Sequence, residues 1–269
     1  MNLEFFTPQN DLLKRYIEGY YFISEKQAGQ VAKYWTFPNN YCIVTANFQS
    51  SINFKENMIS IVPSTAEHIY MSVVSRYKHP IKICYESPIH EITIYFKPLG
   101  INHFVGDPVK IFNQDHQTGT TAFDQDFAPA MQKIFTLKSR EEQNVALEEY
   151  WLSKFMAKDL TFLAGLLMQI ESGDKIEHIA ERNNISRKHL NELMLKNLGK
   201  SAVEYRKIYR FRNVISNRKN IKKLTELTYE NLFFDQSHLI RDFKALTNIN
   251  PKSFFKEVDT GLPNVWRFI

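Results

Sequence analysis

The sequence predicts an α+β fold in which a mainly antiparallel β region precedes an all-α region with two helix-turn-helix units. Short alternating apolar runs, separated by turn-forming residues, fill the first half of the chain. From Ser139 onward, apolar residues recur at helical spacing instead. The helical region also repeats at an offset of 49 residues, so that His189 corresponds to His238. Two copies are too few for a solenoid and indicate a duplicated supersecondary unit.

The β region, residues 1–135, is predicted from short strands that follow one another closely. Apolar alternation marks strands at 41–48, 58–62, 82–85 and 91–96. Turn-forming residues such as Pro38-Asn39-Asn40 separate them. Strands this short and this close together favour an antiparallel sandwich or barrel.

A helical linker is expected at residues 136–158, before the helical domain at 159–258. Ser139 and Glu142 have the spacing of a capping box, which predicts a helix start. A further helix is expected from Asp159 to about residue 170. Residues 259–269 are expected to form a C-terminal tail.

Each repeated unit is predicted as a helix, a tight turn and a capped second helix. Ser186 and Asp235 are the expected N-caps of the two second helices. Gly199 and Asn248 are expected to end these helices, because both residue types adopt the left-handed conformation readily. Start and stop signals therefore recur in the same order in both copies.

The tight turns inside the two units differ in sequence. Such a turn needs a residue that tolerates positive φ. Asn184 meets this need in the first copy, whereas the corresponding Leu232 in the second copy does not. We therefore expect either a one-residue shift that places Asn231 in the strained position or a distorted turn.

The formal net charge is +5, and the basic excess lies in the helical half of the chain. This distribution suggests a polyanionic partner for that half. Cys42 and Cys84 are too few for a disulfide framework or a zinc set and are expected to be buried thiols. No apolar run reaches the length of a membrane span, and no export signal is visible. A cytoplasmic protein without a membrane partner is expected.

The helical domain resembles the DNA-binding domain of AraC/XylS-type transcription regulators. The resemblance lies in the two helix-turn-helix units, the bridging segment YRKIYRFRNVI and the segment FFDQSHLIRDFKALTNINPKSF, and covers about residues 160–258. Leu232 and Asn248 stand where the family usually has glycine, and Ala202 where it usually has proline. The resemblance implies a sequence-specific transcription regulator. Its implied partner is double-stranded DNA, with RNA polymerase and a second copy of the chain as further candidates.

The family pattern implies that each second helix enters the major groove and that adjacent grooves are read on one face of the DNA. Arginine can pair with guanine, asparagine and glutamine with adenine, and glutamate with cytosine, so the exposed side chains suit this role. The resemblance assigns base reading to Arg187, Lys188, Asn191, Glu192, Gln236, Ser237, Ile240 and Arg241. Phosphate contacts position a protein on DNA but do not specify the base sequence. These contacts are expected from Lys196, Lys200, Arg206, Lys244 and Lys252.

The β region resembles a subgroup of cupin-like sensor domains found in the same family. The segments EITIYFKPLGINHFVGDPVKIF and FPNNYCIVTANF carry this resemblance. It implies that residues 1–135 sense a small-molecule effector or mediate self-association. An apolar pocket lined by aromatic residues is expected there, without assigned ligand-binding residues.

No catalytic residue, metal site or cofactor is expected, and the chain is not expected to be an enzyme. A metal-bearing cupin would show a His-x-His pair with a nearby glutamate, but His68, His79 and His90 occur singly. His189 and His238 are expected to be packing residues at the helix turns. The alternative functions are a cupin-like enzyme, or a protein-interaction domain, fused to a DNA reader.

Overall fold

The computed structural model describes residues 2–25, 29, 31–112, 117–118, 123, 125–218, 220–221, 223–258 and 266–268. An N-terminal half rich in β-strands is followed by a helical C-terminal half, as the sequence predicts. No helix within these ranges is long and apolar enough to cross a membrane.

The first sheet is antiparallel throughout. Its strands are β1 (Asn2–Phe6), β2 (Ile17–Glu25), β4 (Cys42–Phe48), β7 (Ile69–Val74), β9 (Ile89–Phe96) and β10 (Gln117–Thr118). They lie in the order β1-β2-β9-β4-β7-β10. The central strand β9 is buried along almost its whole length, because both faces of this sheet are covered.

The second sheet covers one face of the first. Its strands are β3 (Val31–Thr36), β5 (Ser50–Lys55), β6 (Met58–Pro63), β8 (Ile81–Glu86) and β11 (Trp266–Phe268), in the order β11-β3-β8-β6-β5. β6 and β8 pair in parallel, and the other pairs are antiparallel. Tyr21 and Tyr95 from the first sheet pack with Tyr34 and Tyr85 from the second. The expected mainly antiparallel sandwich or barrel is confirmed.

Helices cover the other face of the first sheet. They are α1 (Asp11–Tyr16), α3 (Phe127–Thr136) and α4 (Arg140–Lys154). Trp151 on α4 is fully buried, with its ring 4.9 Å from that of Phe96 on β9. A short 3-10 helix at Gly100–His103 and the helix α2 (Val109–Phe112) complete this half.

The segment expected to be a helical linker packs on the β domain. Its capping box is present, because Ser139 Oγ accepts from Glu142 N while Glu142 accepts from Ser139 N. Leu147 and Trp151 place α4 in the N-terminal core. The chain then leaves the helix, and Met156 N donates to His103 O at 2.7 Å. The boundary suggested by packing therefore lies after α4, at about residues 155–160.

The C-terminal half consists of helices whose ends follow the capping pattern. They are α5 (Thr161–Glu171), α6 (Ile176–Arg182), α7 (Arg187–Leu198), α8 (Ala202–Asn217), α9 (Leu224–Glu230), α10 (Gln236–Thr247) and α11 (Pro251–Glu257). Ser186 and Asp235 cap α7 and α10, accepting from the third residue beyond the cap. Gly199 and Asn248 end these helices at φ 68° and 60°. These predictions are confirmed.

The second tight turn differs from the expectation. Leu232 itself takes positive φ, at 59°, close to the 54° of Asn184 in the first copy. Leu232 N donates to Tyr229 O and Phe233 N to Thr228 O, matching the bonds made by Asn184 and Ile185. The register is therefore kept, so neither expected alternative is found: the turn does not shift to Asn231, and it has the same geometry as the first turn. Helix packing imposes the same turn on a residue that does not favour it.

Replacing Leu232 with glycine is expected to leave stability unchanged or to raise it by up to about 1 kcal/mol. Glycine removes the left-handed strain of about 1–2 kcal/mol but adds chain entropy to the unfolded state. Little packing is lost, because Leu232 is 46% exposed and its side chain lies next to Gly173. Chemical denaturation of both proteins measures the difference. A loss of more than about 1 kcal/mol would mean that packing of the leucine outweighs its backbone strain.

Candidate nucleic-acid interface

The helices α7 and α10 are the second helices of the two units, and each buries one stripe. Leu190 and Met194 are fully buried on α7, and Leu239 and Phe243 are buried at the same register on α10. Their opposite faces are polar and exposed. The duplication therefore presents two equivalent helix surfaces to solvent.

Six of the eight residues assigned to base reading are exposed on these surfaces. They are Arg187, Lys188, Glu192, Gln236, Ser237 and Arg241. Arg187 forms an exposed ion pair with Glu177 at 2.9 Å, and Lys188 approaches Glu192 at 3.9 Å. Exposed pairs such as these contribute at most about 1 kcal/mol, so DNA can displace them at low cost.

The other two residues assigned to base reading are turned toward the protein. Asn191 Oδ1 accepts from Ala202 N at 3.1 Å and so caps the start of α8. Ile240 is half-buried against the core formed by α8, α10 and α11. Both side chains lie on the two expected helices and are also engaged in the fold.

Three of the five residues assigned to phosphate contacts are exposed, namely Lys196, Lys244 and Lys252. Lys200 is only 2% exposed, and its Nζ donates to Ser75 O in the β domain. Burial lowers the pKa of Lys200 to about 8. Arg206 is half-buried, with its guanidinium donating to Ile170 O and Asp174 O. Lys200 and Arg206 therefore hold the fold rather than face DNA, which corrects the expectation for both.

A buried carboxylate joins α10 to α8. Asp242, 8% exposed, lies 3.1 Å from Arg210 Nη2 and 3.7 Å from Lys207 Nζ. His238 Nε2 lies 3.3 Å from the same carboxylate, and its ring packs edge-on against Phe233. His238 is thus a packing residue as expected, whereas His189 is about half exposed. The cluster fixes the orientation of α10 relative to α8.

The β domain contacts the helical domain through α8. Arg212 is half-buried, and its guanidinium donates to Pro38 O at 2.8 Å and to Phe37 O. The Phe37 ring lies 4.9 Å from that of Phe254 on α11. Arg76 pairs with Glu204 at 2.9 Å. From sequence, Pro38-Asn39-Asn40 was expected to be only a turn, so its docking role was missed.

The turn after β3 is also hydrogen-bonded to the wall of a cavity between the two sheets. Tyr77 lines this cavity, and its hydroxyl donates to Phe37 O, the carbonyl that Arg212 also contacts. The cavity measures about 70 Å³ and is lined by apolar and hydroxyl-bearing side chains. Glu91 and Asn47, paired across β9 and β4, belong to its wall. One carbonyl therefore links the cavity wall to α8. Sequence periodicity held no signal for this arrangement.

A model of a family described as "Helix-turn-helix domain" matches residues 179–257. No curated protein sequence matches the chain. Crystal structures of ToxT from Vibrio cholerae are similar at low identity. One, at 1.65 Å resolution, has 13% identity, a TM-score of 0.44, and coverage of 95% of this chain and 98% of ToxT. Another, bound to (E)-4-(8-methylnaphthalen-1-yl)but-3-enoic acid, has 14% identity, a TM-score of 0.42, and coverage of 88% and 97%.

Proposed function

We propose that this chain, a DNA-binding transcription regulator with an AraC-type helix-turn-helix domain at residues 179–257, reads two adjacent major grooves in a sequence-specific manner. The observation that carries the proposal is the duplication of the capped helix. α7 and α10 begin and end with the same cap geometry and bury the same stripe. Each leaves a polar face exposed, as a major-groove helix requires.

The spacing of the two helices is compatible with adjacent grooves. α8 has 16 residues and packs against both α7 and α10. At 1.5 Å per residue, it spans about 24 Å. Together with the width of the two units, a rigid element of this length suits grooves that recur about every 34 Å on one DNA face.

The proposed roles divide between base edges and the DNA backbone. In α7, Arg187, Lys188 and Glu192 would read bases, and in α10 Gln236, Ser237 and Arg241 would do so. Lys196, Lys244 and Lys252 would contact phosphates. Arginine at the exposed centre of a recognition helix can bind guanine O6 and N7 together, which discriminates against other bases by about 1–3 kcal/mol.

We further propose that the N-terminal domain modulates DNA binding by sensing a small molecule. The support is the shared carbonyl of Phe37, which accepts from Tyr77 in the cavity wall and from Arg212 on α8. A ligand that moved Tyr77 would change a contact of the helix that bridges the two DNA-reading units. Coupling requires that the ligand bind the two arrangements with different affinity.

Arg241→Ala tests the reading role, with Lys244→Ala as its matched control. Both residues are exposed on α10, and both changes remove one positive charge. Arg241→Ala is expected to lower affinity for the selected site about tenfold or more and to relax preference at one base pair. Lys244→Ala is expected to weaken all sequences about equally.

The site is first obtained by selection from random DNA with the full chain. Affinities for that site and for a scrambled duplex are then measured at one salt concentration. Equal weakening of both duplexes by Arg241→Ala would show that Arg241 is a phosphate contact, and the assignment of roles would be withdrawn.

A further inference from the structure

The cavity between the two sheets contains an amide and a carboxyl side chain among apolar and hydroxyl-bearing ones. Isoleucines from β5, β6 and β8, including Ile52, Ile61 and Ile83, line one side. Asn47 on β4 and Glu91 on β9 are register partners on adjacent strands of the first sheet, and both line the cavity. No lysine, arginine or histidine is among the described side chains that line the cavity. A mostly apolar pocket with a few convergent polar groups is the usual form of a small-molecule site.

Asn47 is 1% exposed, and neither its Oδ1 nor its Nδ2 has a hydrogen-bond partner within the described structure. Buried polar side chains are almost always satisfied, because leaving a donor and an acceptor unpaired costs their full desolvation free energy. This amide therefore presents one acceptor and two donor hydrogens to whatever fills the cavity.

Glu91 is 2% exposed and accepts from three hydroxyl groups. Tyr21 and Thr93 donate to Oε1 at 3.1 and 2.8 Å, and Tyr85 donates to Oε2 at 2.9 Å. Burial raises the pKa of Glu91, while these three hydrogen bonds favour the ionised form. No ion pair joins Glu91 to a basic side chain in the described ranges. A cation placed beside this carboxyl group would supply a counter-charge and favour its ionised form.

We propose that this cavity binds a small organic amine. The ammonium group would donate to Glu91 and to Asn47 Oδ1, and the aliphatic part would pack on the isoleucines. A ligand carboxylate would place a second acid beside Glu91 in a buried site without a cation and is disfavoured. The cavity of about 70 Å³ holds about five water-sized groups, which restricts the ligand to a short chain. This inference rests on the proposed sensing role of the N-terminal domain.

Butylamine, butan-1-ol and butyrate test the proposal, because they share one chain length and differ in the head group. Each is added to the full chain, and the melting temperature and the dissociation constant are measured at neutral pH. Butylamine is expected to raise the melting temperature, since a ligand that binds only the native state stabilises it. Butan-1-ol should bind about tenfold more weakly or worse, and butyrate should not bind.

Three variants locate the binding. Glu91→Gln should lower affinity for butylamine about tenfold or more, while Glu86→Gln, an exposed carboxylate at the end of β8, should leave it unchanged. Asn47→Leu, a change of similar volume, should raise the melting temperature of the free protein and abolish its further rise with butylamine. This variant keeps the test decisive if Glu91→Gln fails to fold.

The outcomes distinguish a wrong ligand class from a wrong regulatory role. Equal binding of amine and alcohol, binding of butyrate, no binding of butylamine, or unchanged binding by Asn47→Leu would each overturn the amine assignment. DNA affinity is measured on the same samples with and without butylamine. Amine binding without any change in DNA affinity would support the ligand class and contradict the proposed modulation. If butylamine neither binds nor changes the melting temperature while the protein still binds DNA, the proposed ligand class is wrong and the proposed DNA binding is not affected.

Discussion

Raising the salt concentration from about 50 to about 200 mM is expected to weaken DNA binding by the full chain about a thousandfold or more. Each neutralised phosphate releases a counterion. The logarithm of the DNA-binding constant therefore falls with the logarithm of the salt concentration, with a slope of about −0.9 per phosphate contact, and about six contacts suffice for this loss. The exposed cations that face outward on the helical domain include Lys188, Lys196, Lys244 and Lys252. A loss smaller than tenfold would mean that phosphate contacts are few and that the basic excess of this half serves another role.

The slope of affinity against salt assigns the contacts. Replacing Lys196, Lys244 and Lys252 together with alanine is expected to reduce this slope by about three units. Lys33→Ala provides the matched control, because Lys33 is an exposed lysine on β3, in the other domain. Its slope should equal that of the original protein. Lys200→Ala should leave the slope unchanged, because Lys200 is buried against Ser75 and makes no phosphate contact there.

Asp242→Asn is expected to lower the free energy of unfolding by about 3 kcal/mol. Asp242 is 8% exposed and compensates Arg210, whose side chain is also largely buried. Removing one partner of a buried pair leaves the other charge unpaired in a medium of low polarity, at a cost of about 3–5 kcal/mol. Lys207 and His238 lose the same partner.

Asp174→Asn is the matched control for this prediction. Asp174 pairs with Arg182 at 2.7 Å in the first unit, but the arginine side chain is 58% exposed. An exposed pair contributes at most about 1 kcal/mol. Urea denaturation of the three proteins at neutral pH measures the differences. Equal losses for Asp242→Asn and Asp174→Asn would show that burial adds nothing to the Asp242 cluster, and its role in orienting α10 would be abandoned.

The ends of α7 and α10 could be predicted from the sequence alone. Ser186 and Asp235 cap them, and Gly199 and Asn248 end them, where expected. These features depend on side-chain and backbone geometry within a few residues, so they can be recognised in the sequence without knowledge of the rest of the fold. The same holds for the duplication and for the β-then-α order of the chain.

The role of each polar residue on those helices could not be predicted in the same way. Lys196 and Lys200 look equivalent in sequence, yet one is exposed and the other is buried against the β domain. Periodicity separates apolar from polar faces but does not say which polar face a second domain covers. Asn191 likewise looked like a base reader, and only the packing of α8 shows it to be a cap.

By itself, the sequence determined the class of each half, the helix limits and the duplicated helix-turn-helix unit, because these depend on local patterns. Only the tertiary structure decided that Leu232 adopts the left-handed turn, that Arg212 binds the carbonyl of Phe37, and that Asn47 lies beside Glu91 inside the β domain. Each of these brings together groups far apart in the chain or forces a residue against its own preference. Such arrangements are stabilised by the packing of whole elements against one another, and this stabilisation cannot be derived from any short segment of the sequence.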